Sequence, residues 1–74
     1  MMTPDTLELD VMAHRYLYYV ESDPTLPDSA YDQLERQARA ACPPESPVHG
    51  IGSSLPSSYT AEQVQRAKRI SWRV

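Results

Sequence analysis

Tyr16-Leu17-Tyr18-Tyr19-Val20-Glu21-Ser22-Asp23-Pro24-Thr25-Leu26-Pro27-Asp28-Ser29-Ala30-Tyr31-Asp32 decides the fold, because it holds a helix end, a break and a helix start. Pro24 and Pro27 remove backbone donors and push the residues before them towards extended conformations, so no helix runs through 23–27. Upstream, Leu9, Met12, Ala13, Tyr16, Leu17 and Val20 recur at helical spacing as one apolar stripe. Leu7, Val11, His14 and Tyr18 form a second row on a neighbouring face. Thr3-Pro4-Asp5 opens this helix with a capping hydroxyl, a proline at the first helical position and an acid near the positive end of the dipole. The pattern predicts a first helix of about four turns ending near Glu21-Ser22. Downstream, Asp28 reads as the N-cap of a second helix, and Tyr31, Leu34, Ala38 and Ala41 give the stripe that packs on the first. Pro43-Pro44 ends it. Two helices joined by a short proline-ruled turn make an antiparallel hairpin.

Residues 43–59 are rich in Pro, Ser and Gly and contain the only two glycines, Gly50 and Gly52, a loop composition. Thr60-Ala61-Glu62-Gln63 fits a capping box and opens a short third helix with Val64 and Ala67 on one face. The expected fold is therefore all-α: a hairpin unit over 1–52, then a linker and short basic C-terminal helix over 53–74. A two-helix hairpin has little interior, so the third helix or a partner has to supply cover.

Composition narrows the classes. Seventy-four residues make one small domain, and the single cysteine, Cys42, allows no internal disulfide. A lone thiol gives no sign of a secreted, cystine-stapled scaffold. No apolar run approaches the ~18 residues of a membrane span, and the N-terminus lacks a signal peptide's basic and apolar regions. A cytoplasmic protein is expected. Residues 1–58 carry nine acids against Arg15, Arg36 and Arg39, a net of −6. Residues 59–74 carry Glu62 against Arg66, Lys68, Arg69 and Arg73, a net of +3, which together give −3. An acidic body argues against general DNA binding, which rests on clustered Lys and Arg.

The break brings aromatic rings at the end of one helix near carboxylates and an aromatic at the start of the next. Asp28 and Asp32, four apart, share one side of the second helix, with Tyr31 beside Asp28. Aromatic faces stack on flat heterocycles and hold cationic rings. Carboxylates accept hydrogen bonds from ribose hydroxyls or a carboxamide. A nicotinamide nucleotide offers all of these groups. Structural readings stand beside this one: Asp28 as a cap, Asp32 as an acid in the first turn, Tyr16 as core, Tyr31 as a staple between helices. His14, Cys42 and His49 do not reach the four ligands of a structural zinc site, so no metal is expected. His14 reads as a surface or packing residue.

The run Ala13-His14-Arg15-Tyr16-Leu17-Tyr18-Tyr19-Val20, continued by Leu26-Pro27-Asp28-Ser29-Ala30-Tyr31-Asp32-Gln33-Leu34, resembles the N-terminal Ia domain of bacterial NAD-dependent DNA ligases. That family shows a Tyr-Tyr or Tyr-His pair followed by Val, a short acidic loop, then Pro-Asp-x-x-Tyr-Asp-x-Leu. Ser46-Pro47 and Val48-His49-Gly50-Ile51-Gly52 are similar to its Asp-Ser-Pro segment and the Val-Gly after it, so the likeness covers about residues 7–52. The resemblance implies that Tyr18, Tyr19, Asp28, Tyr31 and Asp32 contact the nicotinamide mononucleotide half of NAD. In the family this orients NAD for attack by a lysine of the next domain on the adenylyl phosphorus, with nicotinamide mononucleotide leaving. Position 19 departs from the members that carry His there, and the stretch after Leu34 is shorter than is typical.

No Lys-x-Asp-Gly occurs; the only lysine, Lys68, lies in Ala67-Lys68-Arg69-Ile70. Without that nucleophile no adenylated intermediate forms, so these residues are expected not to ligate DNA alone. The expected role is a nicotinamide-nucleotide module working in trans with a ligase catalytic domain, or sequestering or sensing the nucleotide. As a free-standing protein it would suit a compact genome such as a bacteriophage's. A rival is an interaction module that uses the hairpin as a scaffold for a host or replication protein, or as a homodimer, its exposed tyrosines acting as hot spots. A third is a DNA-contacting accessory using Arg66, Lys68, Arg69, Trp72 and Arg73, which interleave charge with an aromatic but equally suit a solvated face.

Overall fold

The computed structural model describes residues 3–22, 26–50 and 52–70, and among these it is all-helical. Helix α1 spans Pro4–Arg15. As expected, the Thr3 hydroxyl caps it, accepting the Thr6 N–H at 3.2 Å, with Pro4 at the first helical position. The helix then widens into a π-helical turn over Tyr16–Val20, closed by the Glu21 N–H donating to the Tyr16 carbonyl at 3.1 Å. It stops where Ser22 enters the left-handed region at φ 53°, a conformation uncommon outside glycine. The sequence pattern gives the place of this ending but not its π geometry.

Helix α2 spans Asp28–Ala41. Its N-cap is Pro27, whose carbonyl accepts the Tyr31 N–H at 3.0 Å, so the expectation that Asp28 is the cap is corrected by one residue. Asp28 is the first helical residue instead, placed where the helix dipole favours a carboxylate. Residues 23–25 of the expected proline turn lie outside the described residues. Past the end of α2, Cys42 is buried and its thiol donates to the Pro4 carbonyl at 3.3 Å, joining the end of α2 to the start of α1 as an antiparallel hairpin requires.

Short 3-10 turns at Pro47–His49 and Pro56–Ser58 interrupt the loop, and helix α3 covers Ala61–Ile70. The capping box at its start forms in both directions. The Gln63 N–H reaches the Thr60 hydroxyl at 3.1 Å, and the Thr60 N–H reaches Gln63 Oε1 at 3.0 Å. These bonds satisfy two otherwise orphaned donors.

Helix α1 is the centre of the molecule and packs on both α2 and α3. Leu7 and Val11 meet Ala38, Cys42 and Val48, with Leu34 against them. Ala13 and Leu17 meet Ala67, with Tyr16 and Ile70 against them. Each row read from the sequence supplies core to a different helix, Leu7 and Val11 towards α2 and Ala13 and Leu17 towards α3. His14 and Tyr18 of the second row leave the core for the surface of a cavity. The third helix supplies the cover that a hairpin lacks. Ala41, assigned to the packing stripe of α2, is exposed, because the chain turns away beyond it. Tyr59, buried in the loop, donates its hydroxyl to the Ser53 carbonyl at 2.6 Å and stacks edge-on against Tyr16 at 5.4 Å. The radius of gyration, 11.4 Å, matches the roughly 11 Å of a closed globule of this length.

Candidate functional site

A cavity of about 280 Å³ opens where α1 ends and α2 begins, lined by His14, Tyr18, Tyr19, Leu26, Asp28, Tyr31 and Asp32. All five residues singled out by the resemblance lie in its wall. The end of α1 and the π turn supply His14, Tyr18 and Tyr19; the first turn of α2 supplies Asp28 and Tyr31, and Asp32 follows at the start of the second. Neighbours in an α-helix diverge by about 100°, yet in the π turn Tyr18 and Tyr19 both reach the cavity, their ring centroids 4.9 Å apart at 70°. They are 53% and 45% exposed, so large aromatic surface is open to a ligand.

The second tyrosine is seated by the loop. A β-carbon on Gly52 would overlap the Tyr19 ring at Cε2, Cδ2 and Cζ, so only glycine allows this approach without moving the ring. The motif comparison singled out Gly52 for its sequence; its contact with Tyr19 comes from the fold. Ile51, in the same segment, lies outside the described residues.

Tyr31 is held from behind. Arg15, 2% exposed, donates from Nε to the Tyr31 hydroxyl at 3.1 Å and from Nη2 to Glu35 Oε2 at 2.9 Å. It also donates to the backbone carbonyls of Pro47 at 3.1 Å and Val48 at 3.0 Å. The Tyr31 hydroxyl in turn donates to Glu35 Oε2 at 3.1 Å. Burial acts to lower the Arg15 pKa, but its hydrogen bonds to Glu35 and Tyr31 outweigh that and raise it. Burial likewise acts to raise Glu35, and its bonds to Arg15 and Tyr31 bring it below the ordinary carboxylate value. Burial pushes the Tyr31 phenol up against the opposing pull of Arg15. Tyr31 therefore presents its ring, while its hydroxyl is committed to α1 and Glu35.

Sequence reasoning counted Arg15 only as a charge. The signal was present: Leu7, Val11 and Arg15 follow at intervals of four on one face, so the row that buries Leu7 and Val11 also buries Arg15. His14 was read as a surface or packing residue; it is half-buried and lines the cavity. Burial lowers its pKa, Asp10 opposes this, and Arg66 adds to it. Near neutral pH the imidazole is thus largely uncharged.

The basic residues lie elsewhere. Arg66 donates from Nε to Asp10 Oδ1 at 2.8 Å and ties α3 to α1, while Lys68 and Arg69 are exposed. Trp72 and Arg73 lie outside the described residues. Among the described residues no group of three or more His, Cys, Asp or Glu is placed to hold a metal, and no helix is long and apolar enough to cross a membrane.

The cavity wall combines aromatic faces, which can stack on a planar ring, with two carboxylates, which can accept hydrogen bonds from hydroxyls or an amide. The cavity volume is near the ~300 Å³ lower end of small-molecule sites.

Comparison with known proteins places the chain in a family. The family model for the DNA ligase-like, N-terminal NAD+-binding domain matches residues 3–49. A DNA ligase of Marinobacter nauticus is 38% identical over 74 residues, covering 90% of this chain and 11% of that protein. A DNA ligase of Ectopseudomonas mendocina is 39% identical over 59 residues, covering 70% of this chain and 7% of its own. One of Coxiella burnetii is 36% identical over 56 residues, covering 66% and 8%. The chain thus spans about a tenth of the length of these curated relatives. No solved structure matches it. By the family match and these identities, the chain belongs to the DNA ligase-like, N-terminal NAD+-binding domain family.

Proposed function

We propose that this chain is a non-catalytic module that binds the nicotinamide mononucleotide half of NAD and works in trans with a ligase catalytic domain. The observation that carries this reading is the convergence of Tyr18, Tyr19, Asp28, Tyr31 and Asp32 on one cavity. Tyr18 and Tyr19 would stack on the nicotinamide ring, Tyr31 would close the wall with its ring, and Asp28 and Asp32 would accept bonds from the ribose or carboxamide. Bound there, the nucleotide would present its phosphate linkage to a nucleophile supplied by another domain. This chain's residues hold and orient it, and its single lysine, Lys68 on α3, is not among the residues lining the cavity.

The test is a titration of nitrogen-15 labelled protein with nicotinamide mononucleotide, with AMP as control. Saturable shifts at Tyr18, Asp28, Tyr31 and Asp32, absent with AMP and lost in Asp32→Ala, are the expected result. A flat titration at millimolar nucleotide sinks the reading and turns attention to protein partners of the exposed tyrosines.

A further inference from the structure

We infer that Arg15 is a positioning residue of the nucleotide site: from outside the wall it holds the Tyr31 hydroxyl, and through it sets how tightly the cavity binds. This rests on the reading of the cavity as a nicotinamide-nucleotide site and goes beyond it by tying affinity to a residue that does not line the cavity.

The Tyr31 hydroxyl accepts from Arg15 Nε and donates to Glu35 Oε2, both at 3.1 Å. The phenol oxygen lies on the axis about which the ring turns, so pinning it fixes the direction in which the side chain leaves α2. The ring still flips about that axis without changing the surface it offers. Without the pin, a half-buried tyrosine is free to choose among the staggered χ1 wells. A ligand that needs one well then binds more weakly, by the fraction of time the ring spends elsewhere. Arg15 is suited to be the fixed end of this contact. It is 2% exposed, and its other two nitrogens are anchored as well. Nη1 donates to the Pro47 carbonyl at 3.1 Å, and Nη2 to the Val48 carbonyl at 3.0 Å and to Glu35 at 2.9 Å. Those carbonyls belong to the Pro47–His49 turn, none of whose residues lines the cavity. The guanidinium therefore keeps its place whether the cavity is filled or empty, and the wall is set before the ligand arrives. A planar fork reaches the phenol, the carboxylate and both carbonyls in fixed directions, which a lysine ammonium, a point charge on a flexible stem, does not match.

Shift titrations of the full chain with nicotinamide mononucleotide decide the matter, in the wild type, Arg15→Lys, Tyr31→Phe and the double variant, with circular dichroism to verify folding. Arg15→Lys keeps a charge beside Glu35 but loses the fork. It is expected to weaken binding about 3- to 10-fold, the lower figure being the loss for roughly three equally filled wells. Tyr31→Phe keeps the ring, loses the pin and should weaken binding by a similar factor. The double variant should bind within about twofold of Tyr31→Phe, because Arg15 acts through the hydroxyl that is already gone. Cys42→Ala is the control for stability alone. Cys42 sits in the apolar cluster on the same side of α1 and bonds the Pro4 carbonyl, so its loss should lower the urea midpoint and leave affinity unchanged. Wild-type affinity in Arg15→Lys would overturn the inference and leave the nucleotide reading intact. So would a further loss beyond about threefold when Arg15→Lys is added to Tyr31→Phe, or equal weakening by Cys42→Ala. Should Arg15→Lys not fold, Tyr31→Phe decides: wild-type affinity overturns the inference and weaker binding supports it. A wild type silent with the mononucleotide removes the nucleotide reading itself, and this inference with it.

Discussion

The two sides of α1 are built differently. Towards α2 and the Pro47–His49 turn, the apolar cluster of Leu7, Val11, Ala38, Cys42 and Val48 is crossed by a buried arginine that bonds two side chains and two backbone carbonyls. Towards α3 the cluster is smaller, Ala13, Leu17 and Ala67, and the accompanying ion pair, Arg66 with Asp10, is partly open to water. Hydrophobic contact alone is non-directional, and it suffices where a helix only has to provide cover. The side that carries the cavity adds directional bonds, and these fix where Tyr31 stands. Stability and site geometry are thus joined on one side of α1 and separable on the other.

The largest effect should come from Arg15→Met. It leaves the Pro47 and Val48 carbonyls without their Arg15 donor and Glu35 with only the Tyr31 hydroxyl and the more distant Arg39. Removing one member of a buried pair costs about 3–5 kcal/mol, and because Glu35 is a quarter exposed we expect about 2–4 kcal/mol, read as a lowered urea midpoint. A loss under 0.5 kcal/mol would mean that the apolar cluster alone holds this side.

Acid should destabilise the protein in two steps. Glu35 titrates below its ordinary 4.5 in the folded chain, so its contribution is present above pH 4.5 and fades as pH falls through the folded value. His14 titrates below 6.5, so from pH 6.5 downward the unfolded chain takes up a proton that the folded chain resists, and stability falls there too. His14→Gln should flatten the urea midpoint between pH 6.5 and 5 without changing the decline near pH 4. An unchanged slope would remove His14 from the account.

On the other side, Arg66→Gln should cost only about 0.5–1 kcal/mol, with an even smaller effect in high salt. A cost equal to that of Arg15→Met would abolish the contrast between the two sides. The smallest effect on stability belongs to Gly52→Ala. It should change the unfolding free energy by less than about 0.5 kcal/mol, as for a surface change, while displacing the Tyr19 ring. The readout is the loss of ring-current shifts on the residue 52 amide, together with weaker nucleotide binding. If binding weakens equally when Tyr19→Ala is already present, Gly52 acts by some route other than Tyr19.

Much of this was legible before any coordinates. Thr3, and Thr60 with Gln63, announce helix starts through local chemistry that needs no tertiary context. The proline break places one helix end beside the next helix start, and the family resemblance singled out Tyr18, Tyr19, Asp28, Tyr31 and Asp32 from the residues there. What was not legible depends on contacts across the chain. The cap of α2 slipped by one residue because Pro27 and Asp28 are both acceptable at a helix start. Arg15 entered only the charge balance and the family-like run, because its partners lie 16 to 33 positions away. Gly52 stood out as a loop glycine in the family-like segment, but nothing local ties it to Tyr19. Ala41 fitted the helical stripe, but the buried face runs from Leu34 and Ala38 to Cys42, four beyond Ala38, and Ala41 falls beside it.

The π turn has a consequence for how this protein can vary. A turn that accommodates an extra residue is a local frameshift in the helix: everything after it is rotated relative to everything before it. His14, ahead of the shift, and Tyr18 and Tyr19, within it, share one cavity only while that phase is kept. The number of residues between Arg15 and Ser22 is therefore as much a part of the site as the identity of its side chains. Substitutions in this segment change one wall element at a time, whereas a single deletion would re-aim two aromatic rings together and leave the composition of the motif almost untouched.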